Sequence, residues 1–490
     1  MTMRTDATSQ GAPALDPRRW QALTVISVAT LMVVLDASVI NIALPQAQID
    51  LRISDADRQW AVTAYALAFG GLLLLGGRIV DFVGRKRVFL IGLVGFAAAS
   101  MLAGIAPDGA TLFAGRALQG VFAALLAPAA LSLIAVTFTD ARERAKAFGV
   151  YGALQGAGGA IGLIAGGVLT EYATWRWCLF VNTPISLAAA LAAVPTVRES
   201  RAEGERRYDI PGAVLVTTGL VALVWGFTHA AESGWTTILT WLLLAAGLVL
   251  LAAFVLVERR TTHPLLPLRV VLDRDRAGAF LASLLTGAGM FGLLLFLTYY
   301  LQVNLGYQPL HAGLAFLPFS AGIIAAASFG APLVPRLGPK PLMAVGIAVT
   351  LAGTLWLLLV QPTGGYLPVV LPSMVLTGLG LGVFFVALPN TALSAVDPSD
   401  TGVASAMIST TQQVGGAIGP ALLNTLYISA LTGFLAGHGG TVTRAVQLDG
   451  YVHGYRVAFT ASAVLFALAL AAVGLLVRTQ RGAGPSASAA

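Results

Sequence analysis

The sequence predicts an all-α polytopic membrane protein in which two six-helix bundles flank two further membrane helices. Three observations predict it. The 490-residue chain is 57% hydrophobic and only 10% charged, with a mean hydropathy of +0.82, whereas a soluble chain is about a quarter charged. Its apolar residues gather into runs of about twenty, the length that crosses a hydrocarbon core ~30 Å thick. Finally, a short block in run five, Gly158-Gly159-Ala160-Ile161-Gly162, recurs in run thirteen as Gly415-Gly416-Ala417-Ile418-Gly419.

Fourteen runs are expected, at about 21–43, 59–77, 88–107, 111–137, 147–169, 177–197, 210–229, 236–257, 277–301, 312–334, 342–361, 366–389, 403–434 and 457–477. The 55 Gly and 23 Pro suit such helices, which tolerate both. The first run is too long for a signal-peptide core, so it reads as a retained span. A Gly-rich polar loop is expected over 436–454.

Loop charge sets the orientation. Of the 29 Lys and Arg, 23 fall on segments of one side and five on the other, with Arg116 inside a span. By the positive-inside rule both termini are cytoplasmic, and the even count of spans follows from the same asymmetry. The expected division is a tail at 1–20, a first bundle at 21–197, two added helices with their linkers at 198–276, a second bundle at 277–478 and a tail at 479–490. The turn Val83-Gly84-Arg85-Lys86 has an echo in Leu337-Gly338-Pro339-Lys340, at the same place in the second half. Duplicated halves with a site at their interface are the architecture of secondary transporters.

Other classes fit poorly. The five His are scattered without ligand spacing, so no metal site is expected. Cys178 is the one cysteine, so no internal disulfide can form. The +7 charge lies in short loops and does not indicate nucleic acid. No Gly-x-x-x-x-Gly-Lys-Ser/Thr loop occurs, and no His/Asp/Glu cluster marks an enzyme.

The candidate functional residues begin with Asp36, a carboxylate inside the first apolar run. A charge at membrane depth costs at least ~2.5–3.5 kcal/mol, and Asp is too short to reach water. Arg116, in span four, lies about 7 Å below the outer surface and Asp36 about 10 Å, from a rise of ~1.5 Å per residue. The two can pair if their helices are neighbours. Gln119 and Gly120 share the face of Arg116. After span two, Gly77, Asp81, Gly84, Arg85 and Arg87 form a tight basic loop, in which Asp81 can cap or salt-bridge a neighbouring helix end. Span five carries Gly158, Gly162, Gly166 and Gly167 among other glycines, which permit close helix approach or sliding. The second half carries no Asp, Glu, Lys or Arg inside its spans. Its candidate cavity groups are Tyr299, Tyr300, Gln302, Asn304, Phe384, Phe385, Asn390, Gln412 and Gln413. Asn41, Tyr65, Gln119 and Gln155 are candidates in the first half. Such a wall suits an apolar or singly charged organic molecule.

These motifs carry a resemblance. Leu35-Asp36-x-Ser38-x-x-Asn41-x-Ala43-Leu44-Pro45, the Gly77–Arg87 loop, Arg116-x-x-Gln119-Gly120 and the span-five glycines resemble the signatures of the major facilitator superfamily. They are most similar to its fourteen-span drug:proton antiporters, the EmrB/QacA kind. Trp175-Arg176-Trp177 to Asn182-x-Pro184, Tyr208-Asp209-Ile210-Pro211-Gly212, and Tyr299-Tyr300-Leu301-Gln302 with Gly306-Tyr307-Gln308-Pro309 add to it. One departure is clear: where the antiporter motif has Gly-Pro, this chain has Gly162-Leu163, and the proline stands in the other half at Gly419-Pro420.

The resemblance implies the major facilitator fold in a bacterial cytoplasmic membrane. It implies export of hydrophobic or cationic drugs by alternating access, with the proton gradient as energy source and no cofactor. The partners implied are a small-molecule substrate, protons and the lipid bilayer, with the monomer as the working unit. Asp36 and Arg116 would carry the coupling: a carboxylate facing a cation keeps its charge, and one buried alone favours its protonated form. The alternative within transport is movement of a specific metabolite, such as an amino acid, a siderophore or a peptide-like compound.

Overall fold

A computed structural model describes residues 17–53, 60–201, 209–261, 264–437 and 443–478. Among these residues the chain is helical and contains no strand. The long helices are α1 (Arg19–Asp50), α2 (Trp60–Val83), α3 (Arg85–Gly104), α4 (Gly109–Thr137), α5 (Ala141–Tyr172), α6 (Trp177–Thr196), α7 (Ile210–Ser233) and α8 (Ile238–Glu258). They continue as α9 (Arg274–Asn304), α10 (His311–Leu337), α11 (Pro339–Leu359), α12 (Tyr366–Ala392), α13 (Thr401–Gly437) and α14 (Arg444–Leu476). Among the described residues, 13 of these are long and apolar enough to cross a membrane. The remaining one, α5, is an unbroken helix of 32 residues.

Local chemistry sets several starts. The Asp108, Asp140, Asp209 and Asp273 side chains accept from the first free N–H groups of α4, α5, α7 and α9 at 2.8–3.1 Å. The breaks between α2 and α3 and between α10 and α11 both fall on a glycine with positive φ, Gly84 at 114° and Gly338 at 80°, a backbone that side-chain-bearing residues rarely adopt. The weak echo between these two turns is therefore a shared backbone device.

Packing repeats in the two halves. In the first, α1 packs on α5 and α6, α4 on α2 and α3, and α3 on α6. In the second, α9 packs on α13 and α14, α12 on α10 and α11, and α11 on α14. The halves meet through α2 with α13 and, reciprocally, α5 with α10. The repeated glycine block explains part of this symmetry. A Cβ on Gly158 would sit 2.5 Å from Val34 Cγ1, and one on Gly162 would sit 2.7 Å from Ser38 Cβ and 3.0 Å from the Leu35 carbonyl. Gly415 and Gly419 meet the Leu284 and Ala288 carbonyls of α9 even more closely. Small residues at these positions let the fifth helix of each half lie against the first.

Two expectations change. The 436–454 segment is not mainly loop, because α13 runs to Gly437 and α14 starts at Arg444, capped by Thr443. Tyr427, Leu431 and Phe434 pack over Gly450 and Gly454, so apolar contact holds the extension. Arg456 consequently lies inside α14 and donates to the Val360 carbonyl at 2.6 Å.

Candidate functional site

Asp36 is 1% exposed and Arg116 0%, so a buried charge pair is the first feature to account for. Arg116 Nη1 donates to Asp36 Oδ2 at 2.5 Å. The other carboxylate oxygen accepts from Gln119 Nε2 at 2.9 Å and from Asn182 Nδ2 at 2.7 Å. Arg116 also donates from Nε to the Ala61 carbonyl and from Nη1 to Gln119 Oε1, and its guanidinium lies 4.6 Å from the Tyr65 ring centre. Gln119 Nε2 further donates to Ser100 Oγ at 2.7 Å. The site thus draws on α1, α2, α3, α4 and α6, with the α5 glycines pressed on the turn that carries Asp36. Desolvating two charges is costly, and the additional hydrogen bonds are what such a pair needs to be tolerated.

Arg116 lines a cavity of about 600 Å³ that the two halves share. Asp36 is not among the described lining residues, although its chain neighbours Ala37 and Ser38 are. The second half contributes Met290, Phe291, Phe316, Phe319, Phe385, Gln412 and Gln413. The added helix α7 contributes Val224 and Thr228, because it packs against both α2 and α13.

Of the expected cavity residues, Tyr65, Phe385, Gln412 and Gln413 line this space. Gln119 belongs to the Asp36 network instead. Six others do not reach the cavity. Tyr299 is 42% exposed, and Gln302 is exposed at the end of α9; Thr298 is the last residue of that helix to line the cavity. Tyr300 is buried, and its hydroxyl donates to the Gln361 carbonyl at 3.0 Å. Phe384 is buried against Gly346 of α11; consecutive helical residues point about 100° apart, so Phe385 takes the cavity face. Asn390 donates to the Val386 carbonyl of its own helix. Asn304, also off the cavity, is directed at the Leu448 carbonyl at 3.5 Å. The side chains of Asn41 and Gln155 lie outside the described residues.

The Gly77–Arg87 stretch sits at the basic end of the bundles and is not the expected loop: α2 runs to Val83 and α3 starts at Arg85, with Gly84 alone making the turn. Asp81 is fully buried, and its carboxylate accepts from Gly402 N at 2.9 Å and Val403 N at 3.2 Å, at the start of α13. A carboxylate at a helix N-terminus meets free N–H groups and the positive end of the dipole. Gly77 allows the approach, since a Cβ there would fall 2.7 Å from the Gly402 carbonyl. Arg85 bonds Asp81 at 3.3 Å and Ser132 Oγ at 2.6 Å. Arg87 is exposed near Glu199, 3.7 Å away. Gly166 offers its carbonyl to Cys178 Sγ at 3.8 Å, and Gly167 is half-buried.

Sequence reasoning missed two partners. Asn182 was visible only as part of a motif, although an amide in an apolar run is itself a signal. Asp400, outside the expected spans, pairs with Arg78 at 3.3 Å and Arg269 at 2.8 Å.

Two like bundles around a shared cavity, with a buried charge pair at one wall, define a membrane transporter for small molecules. A model of the Major Facilitator Superfamily matches residues 26–420, and the chain belongs to that superfamily. It is 50% identical to the puromycin resistance protein pur8 of Streptomyces alboniger, over 95% of this chain and 93% of that one. It is 39% identical to the cephamycin export protein CmcT of Amycolatopsis lactamdurans, over 90% and 92% of the two chains. A crystal structure of the human organic anion transporter MFSD10 shares the fold, with a TM-score of 0.68 at 15% identity, over 94% of this chain and 100% of that one.

Proposed function

We propose that the protein exports hydrophobic drugs or antibiotics across the bacterial cytoplasmic membrane in exchange for protons. On this reading α5 is the fourteenth span, both termini are cytoplasmic, the monomer is the working unit and the proton gradient is the only energy source. One contact supports the coupling: the buried Asp36–Arg116 pair, whose arginine lines the shared cavity. While the guanidinium faces it, the carboxylate keeps its charge. When the halves rock and the pair separates, the buried carboxylate takes a proton instead. Return of the pair releases that proton, and the substrate leaves in the other half of the cycle. The full-length resistance and export relatives support the substrate class.

The Asp81 contact ties α2 to the start of α13, so a cycle that parts the halves at that end must break it. Efflux from cells lacking their own exporters tests the proposal. Asp36→Asn abolishes proton-driven efflux at unchanged expression; coupled efflux by this variant would overturn the proposal.

A further inference from the structure

The cavity's polar groups divide into those already satisfied and those still open. Thr30, Ser38, Thr228 and Thr298 each donate to a carbonyl one turn back on their own helix, at 2.8–3.2 Å. Arg116 commits Nε to Ala61 and Nη1 to Asp36 and Gln119, but its Nη2 donates no hydrogen bond among the described residues. The amides of Gln412 and Gln413, which line the opposite wall, make none there either. These donors, on Arg116 and on two half-buried amides, face the cavity and are open to an acceptor on a bound molecule.

The charge arrangement is one-sided. The charged group that reaches the cavity is a guanidinium, while its carboxylate partner is held by three donors. Among the described residues, none that lines the cavity is acidic. A cation in this space meets the Arg116 guanidinium and, among the described lining residues, no countercharge, and burying an uncompensated charge is strongly unfavourable. Ring faces attract cations, and Phe rings line this wall, but that attraction is small beside the cost of burying an uncompensated charge, and the Tyr65 face is already taken by Arg116. An uncharged aromatic body can stack on Phe69, Phe291, Phe319 and Phe385. Its carbonyl or ether oxygens can accept from Nη2 and the amides.

We infer that the cavity selects uncharged aromatic molecules bearing hydrogen-bond acceptors and rejects permanent cations, with Gln412 as a position that sets this choice. The inference rests on the export reading above and narrows its substrate class. A volume of about 600 Å³ accommodates such a molecule.

The test uses the full chain in everted membrane vesicles energised by respiration, with two planar fluorescent compounds of similar size. Nile red is a neutral aromatic ketone and ethidium a permanent cation. The wild type moves Nile red at least tenfold faster than ethidium. Equal transport of the two overturns the selection rule while leaving export standing, and transport of neither overturns both. Gln412→Glu raises ethidium transport at least tenfold. A properly inserted variant that shows no gain removes Gln412 from the rule, and the wild-type comparison decides the rule even if the variant does not fold.

Discussion

Three side chains, Arg116, Gln119 and Asn182, donate to the buried Asp36 carboxylate, and each can be removed singly. Arg116→Ala leaves a buried carboxylate alone and costs about 3–5 kcal/mol. Asn182→Ala removes one hydrogen bond to a charged group and costs about 1.5–3 kcal/mol. Thermal melting in detergent separates the two, and an Asn182→Ala protein as stable as the wild type contradicts this account. The pair itself was legible in sequence, because two lone charges at similar depth in apolar runs have few other partners. Asn182 was not, because an amide costs less than a charge and so stands out less. Gln412 could have been weighted more heavily: it precedes the repeated glycine block by three residues, as Gln155 does in the first half. At the membrane surface, Arg19 forms a two-pronged bond to Glu143 at 2.8 Å and holds its carboxyl below the usual range. A folded pKa below the unfolded value of ~4.3 stabilises above that value and is lost as pH falls through the folded one. Glu143→Gln therefore melts below the wild type at about pH 6, and the gap closes as the pH falls through the depressed folded pKa.

At the scale of elements, the glycine block is what sequence symmetry and packing have in common. A side chain at 162 drives α5 away from α1 at the turn bearing Asp36. Gly162→Val is expected to cost about 1–3 kcal/mol and to impair transport. Gly433→Ala, where a Cβ meets nothing within 4 Å, leaves both unchanged or adds about 0.4–1 kcal/mol of stability. Melting curves and efflux rates check both, and equal tolerance at the two positions contradicts the packing argument. Apolar runs gave the helices their order, since length and hydropathy are local properties. They did not give the ends: α1 continues to Asp50, which accepts from Trp175 and Arg176, and α14 begins early on apolar contacts with α13. Both extensions depend on residues distant in sequence. Cavity membership failed for the same reason, because helix rotation decides between neighbours such as Phe384 and Phe385.

For the whole molecule, the added pair α7–α8 is the part that sequence left without a role, its one motif lying at the start of α7. In the structure α7 fills the groove between α2 and α13 and supplies two cavity residues. The segment after α8 ties into the same seam: Glu258 holds Leu265 N and Leu266 N, and Arg78 reaches the Pro264 carbonyl. Any rocking of the halves must carry this pair with it. The central claim is that such rocking makes Asp36 exchange its proton for substrate. The most direct measurement follows proton movement itself, as the pH change inside everted vesicles when substrate is added. The account predicts substrate-dependent proton efflux from wild-type vesicles and none from Asp36→Asn vesicles containing equal amounts of protein. Equal proton efflux from both would contradict it.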